Sequence, residues 1–109
     1  MIIMLKINLE YRKGILFVRL KGNLNANTSK KFLEYAIPII KDYGIRYVVY
    51  NLGELVSLDE AGEKALATAG EEAKVNNNGK VLIVNNKINS CLDYDNVSNE
   101  LVALDTIKV

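Results

Sequence analysis

The stretch NLGELVSLDEAGEKALATAG, residues 51–70, passes from an apolar, strand-like segment through a short linker into an alanine-rich amphipathic helix. The residues leading into it, IRYVVYNL at 45–52, are β-branched, aromatic and almost continuously apolar, as a central strand covered on both faces requires. Downstream, Ala61, Ala65, Ala69 and Ala73 recur at four-residue steps and make a thin face suited to close packing on a sheet. Glu63, Lys64, Glu71, Glu72 and Lys74 fill the solvated remainder. The spacing predicts a helix over residues 60–75, ended by NNNG at 76–79, with Gly79 suited to a left-handed exit. A strand feeding a helix in this way is where an α/β domain presents its working surface.

Working outward, residues 5–11 and 15–21 read as two strands around the tight connection Arg12-Lys13-Gly14, a β-hairpin. In the second strand Leu16, Val18 and Leu20 alternate with Phe17, Arg19 and Lys21, which predicts one face on the core. The polar turn GNLNANTSK offers several N-caps. From Thr28 to Tyr43, Phe32, Leu33, Ala36, Ile37, Ile40 and Tyr43 follow helical spacing; Pro38 predicts a kink, and Gly44 stops the segment. KVLIVNN, residues 80–86, reads as another buried strand. Residues 88–94 read as a short helix with Ile88, Cys91 and Leu92 facing inward. The last strand is expected at LVAL (101–104) or at TIKV (106–109). The expected architecture is a small α/β domain over residues 1–109, ordered β-β-α-β-α-β-(α)-β. It has a mixed central sheet of about five strands, with helices from the crossovers.

Composition removes several function classes. The chain has 109 residues, a formal net charge of +1, half its residues hydrophobic and a quarter charged, the balance of an ordinary globular domain. No basic cluster suggests nucleic acid. No apolar run approaches the roughly 18 residues of a membrane span, so a cytoplasmic protein is expected. A single cysteine leaves no internal disulfide, and histidine is absent, which removes the commonest general base and metal ligand.

The individual candidates for chemistry are weak. Asp59 and Glu60 are adjacent and diverge by about 100° on a helix, a poor acid–base pair; helix capping explains Asp59. Ser57 has no histidine to activate it. Gly53 and Gly62 lack the spacing and the lysine-serine pair of a phosphate loop. Cys91 reads as a small core residue. Asp93 and Asp95 lack the glycine and distal glutamate of a calcium loop. No catalytic set, metal site or cofactor site emerges. The expectation is a non-enzymatic, protein-binding module.

That order of elements, with the junction, resembles the STAS domain family, the small α/β domains of bacterial anti-sigma factor antagonists. GILFVRLKGNLNANTS is similar to the family's second strand, its L-x-G-x-L-D turn and the start of its first helix. IRYVVYNLGELVSLDEAG is similar to the third strand with the N/D-L-x-x-(V/L)-x-x-(M/L)-D-S-S-G signature opening the second helix, and GKVLIVNN to the fourth strand. The match runs through residue 92 and is loose afterwards, where the family's final helix is missing from the reading. In phospho-regulated members the second serine of D-S-S-G is phosphorylated by a kinase-type anti-sigma factor, which releases the antagonist from its partner. The resemblance places Asp59 and Gly62 on that motif's acid and glycine, and Glu60 and Ala61 on its two serines. Alanine has no hydroxyl, so the family's switch position is not phosphorylatable here. Asn25 stands at the turn's aspartate.

The resemblance therefore implies a regulatory domain, an anti-sigma factor antagonist or related signalling component without the usual phosphoserine switch. Its partner would be an anti-sigma factor or another protein of GHKL-type kinase fold, to which any ATP would belong. Glu60 would supply a fixed negative charge, less than a phosphate carries. The implied partner-binding residues are Asn23, Asn25, Leu55, Ser57, Leu58, Asp59, Glu60, Ala61 and Gly62. Leu55 and Leu58 also read as plugs of the core end, and Gly62 as a close-approach position. Thr28 and Ser29 are alternative hydroxyls for phosphorylation or capping. The alternative is a scaffold or self-associating domain outside sigma-factor regulation. It allows a weak homodimer through Tyr35, Tyr43 or the N-terminal strand.

Overall fold

The computed structural model describes residues 4–88 and 92–107. It opens with strands β1 (Leu5–Arg12) and β2 (Ile15–Leu24), an antiparallel pair in unbroken register from Leu5↔Gly22 to Arg12↔Ile15. Lys13 (φ 53°) and Gly14 (φ 81°) form the two-residue turn. Two successive left-handed residues are what a primed turn needs to match the twist of the strands it joins. Helix α1 (Ser29–Asp42) then leads to β3 (Tyr47–Leu58), α2 (Glu60–Glu71, with a π-helical extension Glu72–Asn76), β4 (Lys80–Val84), β5 (Asp95–Val97) and α3 (Glu100–Thr106). The five strands lie in the order β1-β2-β3-β4-β5, parallel from β2 to β5. This is the mixed five-stranded sheet expected of the sequence.

The sheet is covered on both faces, by unequal layers. On one side Leu16, Val18, Leu20, Val48, Tyr50 and Ile83 pack with Phe32, Ala36 and Ile40 of α1 and Ala65, Leu66 and Ala69 of α2. On the other, Ile15, Phe17, Val49, Leu82 and Val84 meet Ala103 and the adjoining Ile107. The continuous apolarity of β3 follows from this, and β2 shares it: Phe17 is buried beneath α3 rather than facing solvent. The alanine stripe of α2 behaves as its spacing predicts, with Ala65, Ala69 and Ala73 buried and Ala61 half-buried at its start. Within the larger core the Tyr50 hydroxyl donates to the Leu66 carbonyl at 2.8 Å. The Asn77 amide donates to the carbonyls of Ile40 and Ile45 at 3.1 and 2.7 Å, tying the exit of α2 to that of α1.

Three expectations are corrected. LVAL at 101–104 lies in α3, and the fifth strand is Asp95–Val97; of the alternative TIKV, Thr106 also lies in α3 and residues 108–109 lie outside the described residues. Asn99 caps α3 by accepting the Val102 N–H at 3.0 Å. The helical step from Ala103 to Ile107 then buries one side. The final helix missing from the sequence reading is thus present. Around residues 88–94, Ile88 and Leu92–Tyr94 are not helical, although Ile88 and Leu92 do pack on the larger core. Cys91 and the expectation placed on it lie outside the described residues. After α2 the left-handed residue is Asn78 (φ 56°), not Gly79. Gly79 is required for another reason: a Cβ there would lie 1.6 Å from the Arg46 carbonyl oxygen, where β4 enters beside β3. Pro38 lies inside α1, on its exposed side, and Gly44 (φ 59°) follows the helix end as expected.

Candidate functional site

The junction is built from unequal strand lengths. β4 pairs with β3 only as far as Asn51↔Val84, while β3 continues beside β2 to Asn23↔Ser57 and Leu24↔Leu58, across two register shifts. The last turn of β3 and the first turn of α2 therefore stand clear of β4. Asp59 closes the strand and opens the helix. Its backbone N–H donates to the Leu24 carbonyl at 3.3 Å, and its carboxylate accepts the Gly62 N–H at 2.8 Å, an N-cap bond. Gly62 lies against the end of β2 so closely that a Cβ would sit 2.3 Å from the Leu24 carbonyl oxygen.

The neighbouring β2–α1 loop is held equally firmly. The Ser57 hydroxyl donates to the Asn23 side chain, linking the two strand ends. The Asn25 side-chain oxygen accepts the N–H groups of Asn27 and Thr28 at 2.9 and 3.2 Å, an Asx-turn that leads into α1. Thr28 donates its hydroxyl proton to the Asn23 carbonyl at 2.9 Å, and Ser29 donates to the Asn25 carbonyl at 2.6 Å. Both hydroxyls are buried and engaged in this turn.

The sequence-derived candidates thus divide by exposure. Ser57, Asp59 and Glu60 are exposed, and Asn23, Asn25, Leu58 and Ala61 are half-buried around them. Leu55 belongs to the larger core and Gly62 is buried within the first turn of α2 against the end of β2, so neither reaches the surface. The resulting surface is polar and carries the acids Asp59 and Glu60 at the positive end of the α2 dipole.

An open groove that the sequence did not suggest continues from this surface along α2. It has a volume of about 680 Å³ and lies between Glu60, Lys64, Ala67 and Glu71 of α2 and the segment Leu92–Tyr94. The Tyr94 hydroxyl donates to the Glu71 carboxylate at 2.9 Å, and Lys74 stands 5.6 Å above the ring. Partial burial and the adjacent carboxylate hold the Tyr94 phenol above its ordinary range. Gly70 makes room for the phenol, since a Cβ there would meet its oxygen at 2.5 Å. No local signal marks Tyr94, which reaches α2 from more than twenty residues away.

A second polar cluster lies beneath α3. Arg19 donates two 2.8 Å hydrogen bonds to the Glu100 carboxylate and one of 2.8 Å to Glu10. Asn51 donates to Glu100 at 2.8 Å and accepts from Gly53 N–H and the Asn85 amide. The bidentate guanidinium holds the Glu100 carboxyl below the usual carboxylate range. Through Glu100 the cluster fastens α3 to the sheet, and through Glu10 and Asn8, which accepts from Arg19 at 3.0 Å, it ties β1 to β2.

Among the described residues no group of three or more His, Cys, Asp or Glu side chains is placed to hold a metal ion. Among them, too, no helix is long and apolar enough to cross a membrane. A stiff, hydrogen-bonded polar surface of this kind is suited to contact with another macromolecule.

The fold is that of known antagonists. SpoIIAA, an anti-sigma factor antagonist in its unphosphorylated form, superposes with a TM-score of 0.74 at 14% identity, over 93% of this chain and 96% of that one. RsbS of Moorella thermoacetica, carrying a serine-to-glutamate substitution, gives 0.75 at 14% identity over 93% of each chain. The STAS domain of an anti-sigma factor antagonist from Rhodobacter sphaeroides gives 0.59 at 19% identity, over 75% of this chain and 87% of that one. The family model of the STAS domain matches residues 6–89, from β1 past β4 and across the whole junction, and the chain belongs to the STAS domain family.

Proposed function

We propose that the protein is a non-catalytic regulator of the anti-sigma factor antagonist type that engages its partner through the β3–α2 junction without a phosphoserine switch. The observation that carries this reading is the junction itself. Asn23, Ser57, Asp59 and Glu60 form one braced surface, and Ala61, at the position the resemblance gives to the phosphorylated serine, offers no hydroxyl. The fold shared with SpoIIAA and RsbS supports the class of partner, an anti-sigma factor or other protein of GHKL-type kinase fold. Catalysis is not part of the proposal, because the exposed groups at the junction include no base positioned to activate Ser57, whose hydroxyl is spent on Asn23.

A capture experiment tests it. Wild-type protein and Glu60→Lys are used as baits in extract of the native cells, and bound proteins are identified by mass spectrometry. Glu60 is exposed at the start of α2, and the reversal leaves the Asp59 cap in place. The expected result is a GHKL-type protein retained by wild type and depleted at least several-fold by Glu60→Lys. Equal retention by both baits removes the junction from the contact, and the absence of any such protein removes the antagonist reading.

A further inference from the structure

The edge of the sheet at β1 carries a different kind of information. β1 is an outer strand of eight residues, without proline, glycine or bulge, and its register with β2 is unbroken. The opposite edge, β5, has three residues and runs directly into the turn before α3. Long edges are features that folded proteins usually blunt, because their N–H and C=O groups can pair with another strand; β1 carries only the charges of Lys6, Glu10 and Arg12 to do so, and pairing then depends on which of them face each other.

The hairpin turn determines which groups are free. A two-residue turn makes its flanking residues, Arg12 and Ile15, a hydrogen-bonded pair. Antiparallel alternation then directs the backbone groups of Arg12, Glu10, Asn8 and Lys6 towards β2, and those of Tyr11, Leu9, Ile7 and Leu5 outward. A second β1 strand related by a two-fold axis can use the outward groups in only a few registers, each placing odd residues opposite odd residues. The register centred on Asn8 sets Ile7 opposite Leu9 and Leu5 opposite Tyr11 on the face shared with the larger core, where Leu5, Ile7 and Leu9 already pack. On the other face it sets Lys6 opposite Glu10, twice by symmetry, so that the Glu10 carboxylate, which accepts from Arg19 at 2.8 Å, would lie between the two cations. The register centred on Leu9 instead opposes Lys6 to Arg12, and that centred on Ile7 opposes Lys6 to Asn8. Opposite charges across a strand pair are favourable and like charges unfavourable, so Asn8 is the selected centre.

We propose that β1 is a self-association edge: two copies of this chain pair their β1 strands antiparallel about Asn8, joining their sheets into one of ten strands. The contact is isologous, as a closed dimer requires, and uses none of the junction residues. Each dimer therefore presents two junction surfaces, and the proposal stands independently of what binds there.

The test uses the full chain in which Cys91 is replaced by Ser. Asn8→Cys in that background brings two thiols together at the two-fold axis, in a non-hydrogen-bonded pair with Cα atoms about 4.5 Å apart, within disulfide range. Mild oxidation is expected to yield a covalent dimer, and Arg12→Cys, remote from the axis, is expected to yield little. Sedimentation of the wild-type chain is expected to show a concentration-dependent dimer, weakened about tenfold by Lys6→Glu, which replaces two attractive pairs by two repulsive ones. Lys6 is exposed, and an unchanged melting curve in dilute solution confirms that the variant folds. A monomer at every concentration to about 1 mM, in the range where weak association is detected, overturns the proposal. So does a dimer indifferent to Lys6→Glu and not trapped through Asn8→Cys. Because Glu60→Lys should leave the dimer intact, failure here and failure of the antagonist reading are separately visible.

Discussion

At the scale of single residues, the junction depends on two positions that do different work. Asp59 satisfies one otherwise orphaned N–H at the start of α2. Asp59→Ala is expected to cost about 1 kcal/mol in denaturant unfolding, the ordinary value of an N-cap. Gly62 allows the helix to approach the Leu24 carbonyl, and a methyl group there would have to displace backbone on one side or the other. Gly62→Ala is therefore expected to cost more, about 2–3 kcal/mol, in the range of overpacked sites. If the two variants unfold at the reverse order of denaturant concentrations, the close approach is not what fixes the angle of α2. Asp59 was legible in the sequence because its partner, the Gly62 N–H, lies three residues on, and the alanine stripe because its four-residue period is itself the signal. The left-handed residue after α2 was not: NNNG offers several residues that tolerate positive φ, and only the contact with Arg46 shows why the glycine must follow rather than adopt it.

At the scale of elements, α3 is the part held by groups distant in sequence. Arg19 and Glu100 are 81 positions apart, so no local pattern announces their pairing. The four apolar letters of LVAL fit a strand as well as a helix until Asn99 is seen to cap and Ala103 to bury. The pair also gives α3 a pH dependence. Arg19, first among its causes, lowers the folded-state pKa of Glu100, so the unfolded chain takes up a proton there before the folded one does. The stabilisation is complete above the ordinary glutamate value of about 4.3 and is lost as pH falls below it towards the lowered folded value. Glu100→Gln is expected to melt at a lower temperature than wild type at pH 7, with the gap narrowing at about pH 3, below that ordinary value. A gap that stays constant with pH would show that the carboxylate's charge is not what secures the helix.

At the scale of the whole molecule, the sheet has one thick cover and one thin one. The β-branched runs in β3 and β4 mark both faces of the sheet as buried, but nothing in them specifies that a seven-residue helix covers the second face. Among the described residues, α3 and the adjoining Ile107 cover Phe17, Val49, Leu82 and Val84, with the Arg19 guanidinium 5.7 Å over the Phe17 ring, whereas α1 and α2 share the opposite face. The asymmetry predicts how the fold fails. Ending the chain after Ser98 removes α3 while leaving every β-strand and the junction in place, so far-UV circular dichroism should change little. The uncovered apolar residues are contiguous across the three central strands, a patch of the kind that binds hydrophobic dyes and drives association. The truncated chain is expected to bind such a dye strongly, to sediment as larger species and to unfold at lower denaturant concentration. Arg19→Met offers the milder form of the same experiment. It removes the guanidinium that holds Glu100 while α3 remains covalently present, and should give intermediate dye binding. If the truncated chain instead sediments as the full chain does and stays dye-free, the larger core alone would suffice for the fold, and the second layer would be free to serve as a surface.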